Sequence, residues 1–102
     1  MYLDCNNTYY IDYLSNNIEE IEFGYHFNLE LNNLPSSIKT MLFNNDYYDK
    51  KLNNLPQGLE LLRLPSDYNL PIENIPKELK KIICGIFYKY QKDFKNIKIE
   101  YY

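Results

Sequence analysis

At 102 residues, with 12 tyrosines among them and no tryptophan, the chain has room for one domain, and 45% hydrophobic content gives that domain a core. A formal net charge of −3 excludes the strong overall basicity of a nucleic-acid-binding chain, and the longest apolar run, Ile82 to Tyr88, is far short of the roughly 18 residues needed to cross a bilayer. The charge is uneven: residues 1–50 hold 2 basic and 8 acidic side chains, residues 51–102 hold 9 and 6. Such polarity either steers a partner or favours head-to-tail association, or it is simply a solvated surface.

The chain opens on Met1-Tyr2-Leu3-Asp4-Cys5, with neither the basic start nor the apolar run of a secretory leader. The expected location is therefore intracellular, in the cytoplasm, and the glycosylation-type triplet Asn6-Asn7-Thr8 is expected to be idle. Residues 1–10 read as an N-terminal cap, residues 11–93 as repeats, and residues 94–102 as a partial repeat or C-terminal cap, all within one domain.

The repeat has a step of about 21 residues. Its first clear copy is Phe27-Asn28-x-x-Leu31-x-Asn33-Leu34-Pro35, followed by Tyr48-Asp49-x-x-Leu52-x-Asn54-Leu55-Pro56, Tyr68-Asn69-x-x-Ile72-x-Asn74-Ile75-Pro76 and Tyr90-Gln91-x-x-Phe94-x-Asn96-Ile97-Lys98. Each of the first three leads on to spaced apolar residues: Ile38, Met41, Phe43; Leu59, Leu62, Leu64; Leu79, Ile82, Cys84. A degenerate earlier copy places Ile11, Leu14, Ile18, Ile21 and Phe23 in the same slots. A period this short predicts a solenoid, in which each unit buries its apolar slots only against its neighbours.

Ile21/Phe23, Met41/Phe43, Leu62/Leu64 and Ile82/Cys84 alternate with period two, so they predict short strands with one face inward. One turn of chain separates them, which makes the strands parallel. The expected fold is a mainly β, leucine-rich-repeat-like solenoid: one ribbon of short parallel strands, extended or turn-like backs, and about 4 coils of 20–22 residues. Pro35, Pro56 and Pro76 recur at one phase and mark the opposite corner, since proline inside a paired strand forfeits a donor. Pro76-Lys77-Glu78-Leu79 also has the form of a short helix opening on its proline, but the copies with Ser36-Ser37 and Gln57-Gly58 there argue for a turn. Asn33, Asn54, Asn74 and Asn96 predict a structural ladder, because a side-chain amide both donates and accepts where a bend leaves backbone groups unpaired. The aromatics Phe27, Tyr48, Tyr68 and Tyr90 predict a second core column.

The unit aromatic-Asn-x-x-Leu/Ile-x-x-Leu/Ile-Pro, continued by apolar residues at strand spacing, resembles the FNIP repeat, a short relative of the leucine-rich repeat. Tyr68-Asn69-Leu70-Pro71-Ile72-Glu73-Asn74-Ile75-Pro76 is the nearest copy, and the similarity spans about residues 11–101. The resemblance implies a binding scaffold of a type found in social amoebae and in giant viruses that infect amoebae, which would put it in the host cytoplasm if viral. Longer members carry an N-terminal F-box. About ten residues precede the first copy here, too few for one.

Outward strand positions carry the functional expectation. One column reads Glu20, Thr40, Leu61, Lys81 and the next Glu22, Leu42, Arg63, Ile83, while Glu19, Lys39, Glu60 and Lys80 alternate in sign just before the strands. Leu42, Leu61 and Ile83, flanked by Glu20, Glu22, Arg63 and Lys81, make an apolar patch rimmed by charge, the signature of a protein-binding face. The competing expectation is that tail residues cover it. The partner is expected to be a protein and not a membrane, with self-association through the solenoid ends as the alternative.

No enzyme is predicted. His26 has no nucleophile in phase with it, and Gly24, Gly58 and Gly85 are too scattered for a phosphate loop. One histidine and two distant cysteines predict no metal site, and no cofactor is implied. Cys5 and Cys84 fall four coils apart, about 19 Å at about 4.8 Å per strand, so both are expected as reduced core thiols. The lysines at 89, 92, 95 and 98 alternate with aromatics, but the repeat claims Tyr90, Phe94 and Ile97 for the core. The lysines then guard an open strand edge rather than bind nucleic acid. Residues 97–102 either finish a partial coil or pair as a closing strand through Ile97, Ile99 and Tyr101.

Overall fold

The computed structural model describes residues 1–4, 11 and 13–102. Six short strands form one sheet in chain order: β1 (Tyr2–Leu3), β2 (Glu20–Phe23), β3 (Thr40–Phe43), β4 (Leu61–Arg63), β5 (Lys81–Cys84) and β6 (Lys98–Tyr101). Every pair is parallel. The chain therefore winds about five turns of a β-solenoid, and its one described helix of any length is a 3-10 turn at Gln91–Asp93.

The alternation read from the sequence is the alternation of burial. Ile21, Phe23, Met41, Phe43, Leu62, Leu64, Ile82 and Cys84 all point into the core and are fully buried. Burial also pushes the free Cys84 thiol up from its ordinary pKa, which suits an inert packing residue. The Cys5 expectation and the glycosylation-type triplet lie outside the described residues.

Two turns close each coil. At one corner the amide of Ile38, Leu59 or Leu79 donates to the carbonyl of Pro35, Pro56 or Pro76, and Ile18 does the same to Ser15. These prolines are buried at a bend where no strand needs their missing N–H. Pro76 thus starts a turn, not a helix. At the other corner, just after the strand, Phe27, Tyr68 and Tyr88 donate to Gly24, Pro65 and Gly85 three residues earlier. Glycine is required at two of these places by close approach. A Cβ on Gly85 would lie 2.7 Å from the Ser66 carbonyl oxygen, and one on Gly24 would lie 2.6 Å from the Asp4 Cβ.

The second core column departs from expectation at its last member. Phe27, Tyr48, Tyr68 and Tyr88 stack at centroid distances of 6.0, 6.4 and 6.3 Å, and Phe94 closes the column 6.0 Å beyond Tyr88. Tyr90, the residue the repeat phase selects, is only half-buried and sits edge-on against Tyr88. The reason is a short final coil. Paired strand positions advance by 20, 21 and 20 residues from Glu20 to Lys81, then by 17 to Lys98. Those missing residues leave 90–97 to fold across the end of the stack. Residues 98–101 pair as the closing strand, with Ile99 opposite Ile82.

Each tyrosine hydroxyl in this column donates to a carbonyl of the preceding coil: Tyr48 to Leu29 at 2.9 Å, Tyr68 to Lys50 at 2.8 Å and Tyr88 to Leu70 at 2.6 Å. Burial pushes the Tyr68 hydroxyl up to about 12 and raises Tyr48 and Tyr88 as well. A raised pKa in the fold means that the unfolded state releases its protons first. The stability these hydroxyls contribute is complete below about pH 10 and is lost as pH rises through the folded values. Alkaline titration should therefore show tyrosinate absorbance for the exposed rings first, then a further step that coincides with loss of the sheet circular dichroism signal. Ionisation of every tyrosine with the sheet still intact would contradict the column.

Candidate protein-binding face

Strand register builds the outer face. Glu20, Thr40, Leu61, Lys81 and Lys98 stand side by side in one row, and Tyr2, Glu22, Leu42, Arg63, Ile83 and Glu100 in the next. All seven residues singled out by the sequence, Glu20, Glu22, Leu42, Leu61, Arg63, Lys81 and Ile83, fall on this face. The structure brings Leu42, Leu61 and Ile83 to adjacent strands, where each is half-buried rather than fully exposed, as is Arg63 between them. Flanking side chains supply the shading.

Polar groups frame this apolar centre. On the acidic side Glu22 accepts a hydrogen bond from the Asn44 amide at 2.9 Å. On the basic side Lys81 and Lys98 both pair with Glu100, at 2.9 and 3.4 Å, and the Lys81 bond is the main reason the Glu100 carboxyl sits below its ordinary pKa. Glu19 meets Lys39 at 3.9 Å and Glu60 meets Lys80 at 3.5 Å. These last two pairs are exposed, and each contributes about 0–1 kcal/mol. The alternating column thus resolves into two separate pairs.

Arg63 is the centre of the face. Its guanidinium lies 5.0 Å from the centroid of the Tyr102 ring, while its buried Nε has no hydrogen-bond partner among the described residues. Burial raises the Tyr102 hydroxyl from its ordinary pKa against the opposing pull of Arg63. The last residue therefore rests on the arginine at the centre of the face. It is a contact of the kind the competing expectation names, a tail residue laid on the face, here Tyr102 just after β6 against Arg63 of β4.

The asparagine expectation needs correction. Asn33, Asn54, Asn74 and Asn96 are all exposed, and among the described residues they form no continuous ladder. Asn54 donates to the Asn32 side chain at 2.8 Å and Asn74 to the Asn53 backbone carbonyl at 3.1 Å, each reaching one coil back. Asn33 and Asn96 instead hold left-handed backbone, with φ of 59° and 62°, a conformation asparagine tolerates better than most residues.

The buried polar residue is Asn45, only 2% exposed. Its amide donates to the carbonyls of Gly24 at 2.8 Å and Phe27 at 3.0 Å, and its oxygen accepts from the amides of Tyr47 and Tyr48 at 3.2 and 2.9 Å. The signal for it was available. Phe43 and Tyr48 are five positions apart where Phe23/Phe27, Leu64/Tyr68 and Cys84/Tyr88 are four. The extra residue removes the backbone carbonyl that caps the turn elsewhere, and the Asn45 side chain replaces it.

His26 sits at an exposed turn, where its backbone N–H donates to Asp4 and its ring Nδ1 lies 3.2 Å from the same carboxylate. The backbone bond is the main cause of a lowered Asp4 pKa. Among the described residues, no group of three or more His, Cys, Asp or Glu side chains is placed to hold a metal ion. No helix among them is long and apolar enough to cross a membrane.

A one-sheet stack of parallel strands, one coil apart, with an aromatic column and a turn at each corner, defines a solenoid repeat protein. Residues 6–46 match the family model described as FNIP Repeat, so this part of the chain is similar to that repeat. No curated protein and no solved structure matches it.

Proposed function

We propose that the protein is a non-enzymatic scaffold that binds a partner protein on the outer face of the strand ribbon. The observation that carries this reading is the row Glu22, Leu42, Arg63, Ile83 beside Thr40, Leu61, Lys81, held in register by parallel pairing. A half-buried arginine set between aliphatic side chains is the kind of group on which binding energy concentrates in protein interfaces. The charged rim, acidic at β2 and basic at β5, would fix the partner's orientation more than its affinity.

The test is affinity capture from cell lysate with wild type and with Leu42→Asp/Arg63→Glu/Ile83→Asp, after circular dichroism has checked that the variant folds. Lys77→Glu, an exposed change at the proline corner, serves as the control. The expected result is a protein held by wild type and control and lost by the triple variant. Equal capture by all three removes the ribbon face from consideration. Recovery of only the chain itself by all three would favour the other reading, a structural subunit associating through the ends of the stack.

A further inference from the structure

The turn after β5 differs from its counterparts. The two residues at the tip of this turn are Tyr25-His26 in the first repeat, Asp46-Tyr47 in the second and Ser66-Asp67 in the third, each containing a polar group. In the fourth they are Ile86 and Phe87, 63% and 91% exposed. An aliphatic and an aromatic side chain therefore stand together in water at the apex of a tight turn, where the core gains nothing from them.

This tip is built and held. The Gln91 side chain donates to the Ile86 carbonyl at 2.8 Å and to the Tyr88 carbonyl at 3.0 Å, and accepts from the Tyr101 hydroxyl at 2.7 Å. One amide thus fastens the tip, the 3-10 turn and the end of β6 together. Lys92 belongs to the 3-10 turn that Gln91 ties to the tip, with Lys89 just after the tip's turn and Lys95 further along the same segment. All three are exposed and without an ion pair among the described residues. Tyr101 and Tyr102 line one side of an open groove of about 530 Å³ whose other walls include Phe87 and Ser66. Acidic groups nearby are Asp46, which accepts a hydrogen bond from Ser66, with Asp67, Asp93 and Glu100, the last already held by Lys81 and Lys98.

We propose that the Ile86–Phe87 turn is an anchor that inserts into the surface of an anionic lipid bilayer. The shape selects this occupant. A convex two-residue tip needs a matching hole in a protein partner, whereas the acyl boundary of a bilayer yields to it. Tyrosines around an apolar apex suit the headgroup level, with a wet end and an apolar end, and unpaired lysines one step behind it meet anionic phosphates. Two apolar side chains and three lysines give weak, reversible attachment rather than permanent anchoring.

The experiment is co-sedimentation of the full chain with phosphatidylcholine vesicles, with and without about 30% phosphatidylserine. Phe87→Ser changes a side chain that is nearly all in solvent, so the fold should persist, and circular dichroism checks this. Wild type should bind the anionic vesicles. Phe87→Ser should bind them about tenfold or more weakly, in line with losing one inserted aromatic. Lys89→Glu/Lys92→Glu should remove the preference for phosphatidylserine, and Lys77→Gln, an exposed lysine at the proline corner, should bind like wild type. Absence of vesicle binding by wild type would overturn the proposal, as would undiminished binding by Phe87→Ser or an equal loss of binding by Lys77→Gln. Capture of a protein through Phe87 without any lipid association would likewise overturn it.

Discussion

Tyr48→Ala is expected to destabilise the protein by about 3–5 kcal/mol, which for a domain of this size approaches its whole stability. Tyr48 is the largest fully buried side chain among the described residues, and it sits where two packing directions cross. Along the stack its ring faces Phe27 and Tyr68, and across the coil it meets Phe43 at 4.6 Å. Truncation opens a cavity between the second and third repeats, and a solenoid has no distant contacts through which to close it. Tyr48→Phe is the control. It keeps the ring and loses only the bond to the Leu29 carbonyl, so it should cost about 1 kcal/mol. Urea unfolding followed by circular dichroism measures both. A Tyr48→Ala midpoint within error of Tyr48→Phe would mean that the column does not hold the coils together.

The second large effect is expected at Asn45. Asn45→Leu nearly preserves side-chain volume but removes both the donor and the acceptor, and so strands the Phe27 carbonyl and the Tyr48 amide and leaves the Gly24 carbonyl with the Phe27 amide alone. Buried backbone groups left unpaired cost about 1–3 kcal/mol each, and partial relaxation of the turn brings the expected total to about 2–4 kcal/mol. Asn45→Asp is informative because it keeps the acceptor for the Tyr48 amide and loses the donor. At neutral pH it also sets a carboxylate against two carbonyl oxygens, so it should be at least as damaging as leucine and should recover partly as pH falls and the carboxyl becomes a donor. Thermal or urea unfolding of both variants at pH 7 and pH 4 separates these terms. Equal stability of Asn45→Leu and wild type would show that the bonds contribute nothing net.

These two residues also show what was legible and what was not. The slot of Tyr48 follows directly from the repeat, because apolar and aromatic residues at a fixed phase have only the neighbouring coil to pack against. Asn45 breaks the repeat by one residue, and its role appears only when the missing turn carbonyl is known. Tyr90 was misassigned for a related reason. The motif continues in phase through Asn96, but the last step is only 17 residues, and Tyr88 takes the column instead. The exposed asparagines followed the same pattern: a strict repeat reports a recurring local geometry, and it does not report whether that geometry is buried.

The sequence by itself determined the period, the parallel ribbon, which strand residues face inward and which outward, and the corner prolines, because each depends only on local alternation and a fixed step. Tertiary structure decided which of those features meet. Leu42, Arg63 and Ile83 become neighbours through strand register, Tyr102 reaches Arg63 by folding back across two strands, and Gln91 ties three segments around an exposed Ile86–Phe87 tip. Contacts between coils depend on how far each coil advances the chain, and shortening the last step to 17 residues moves Tyr90 out of the column that Tyr88 joins.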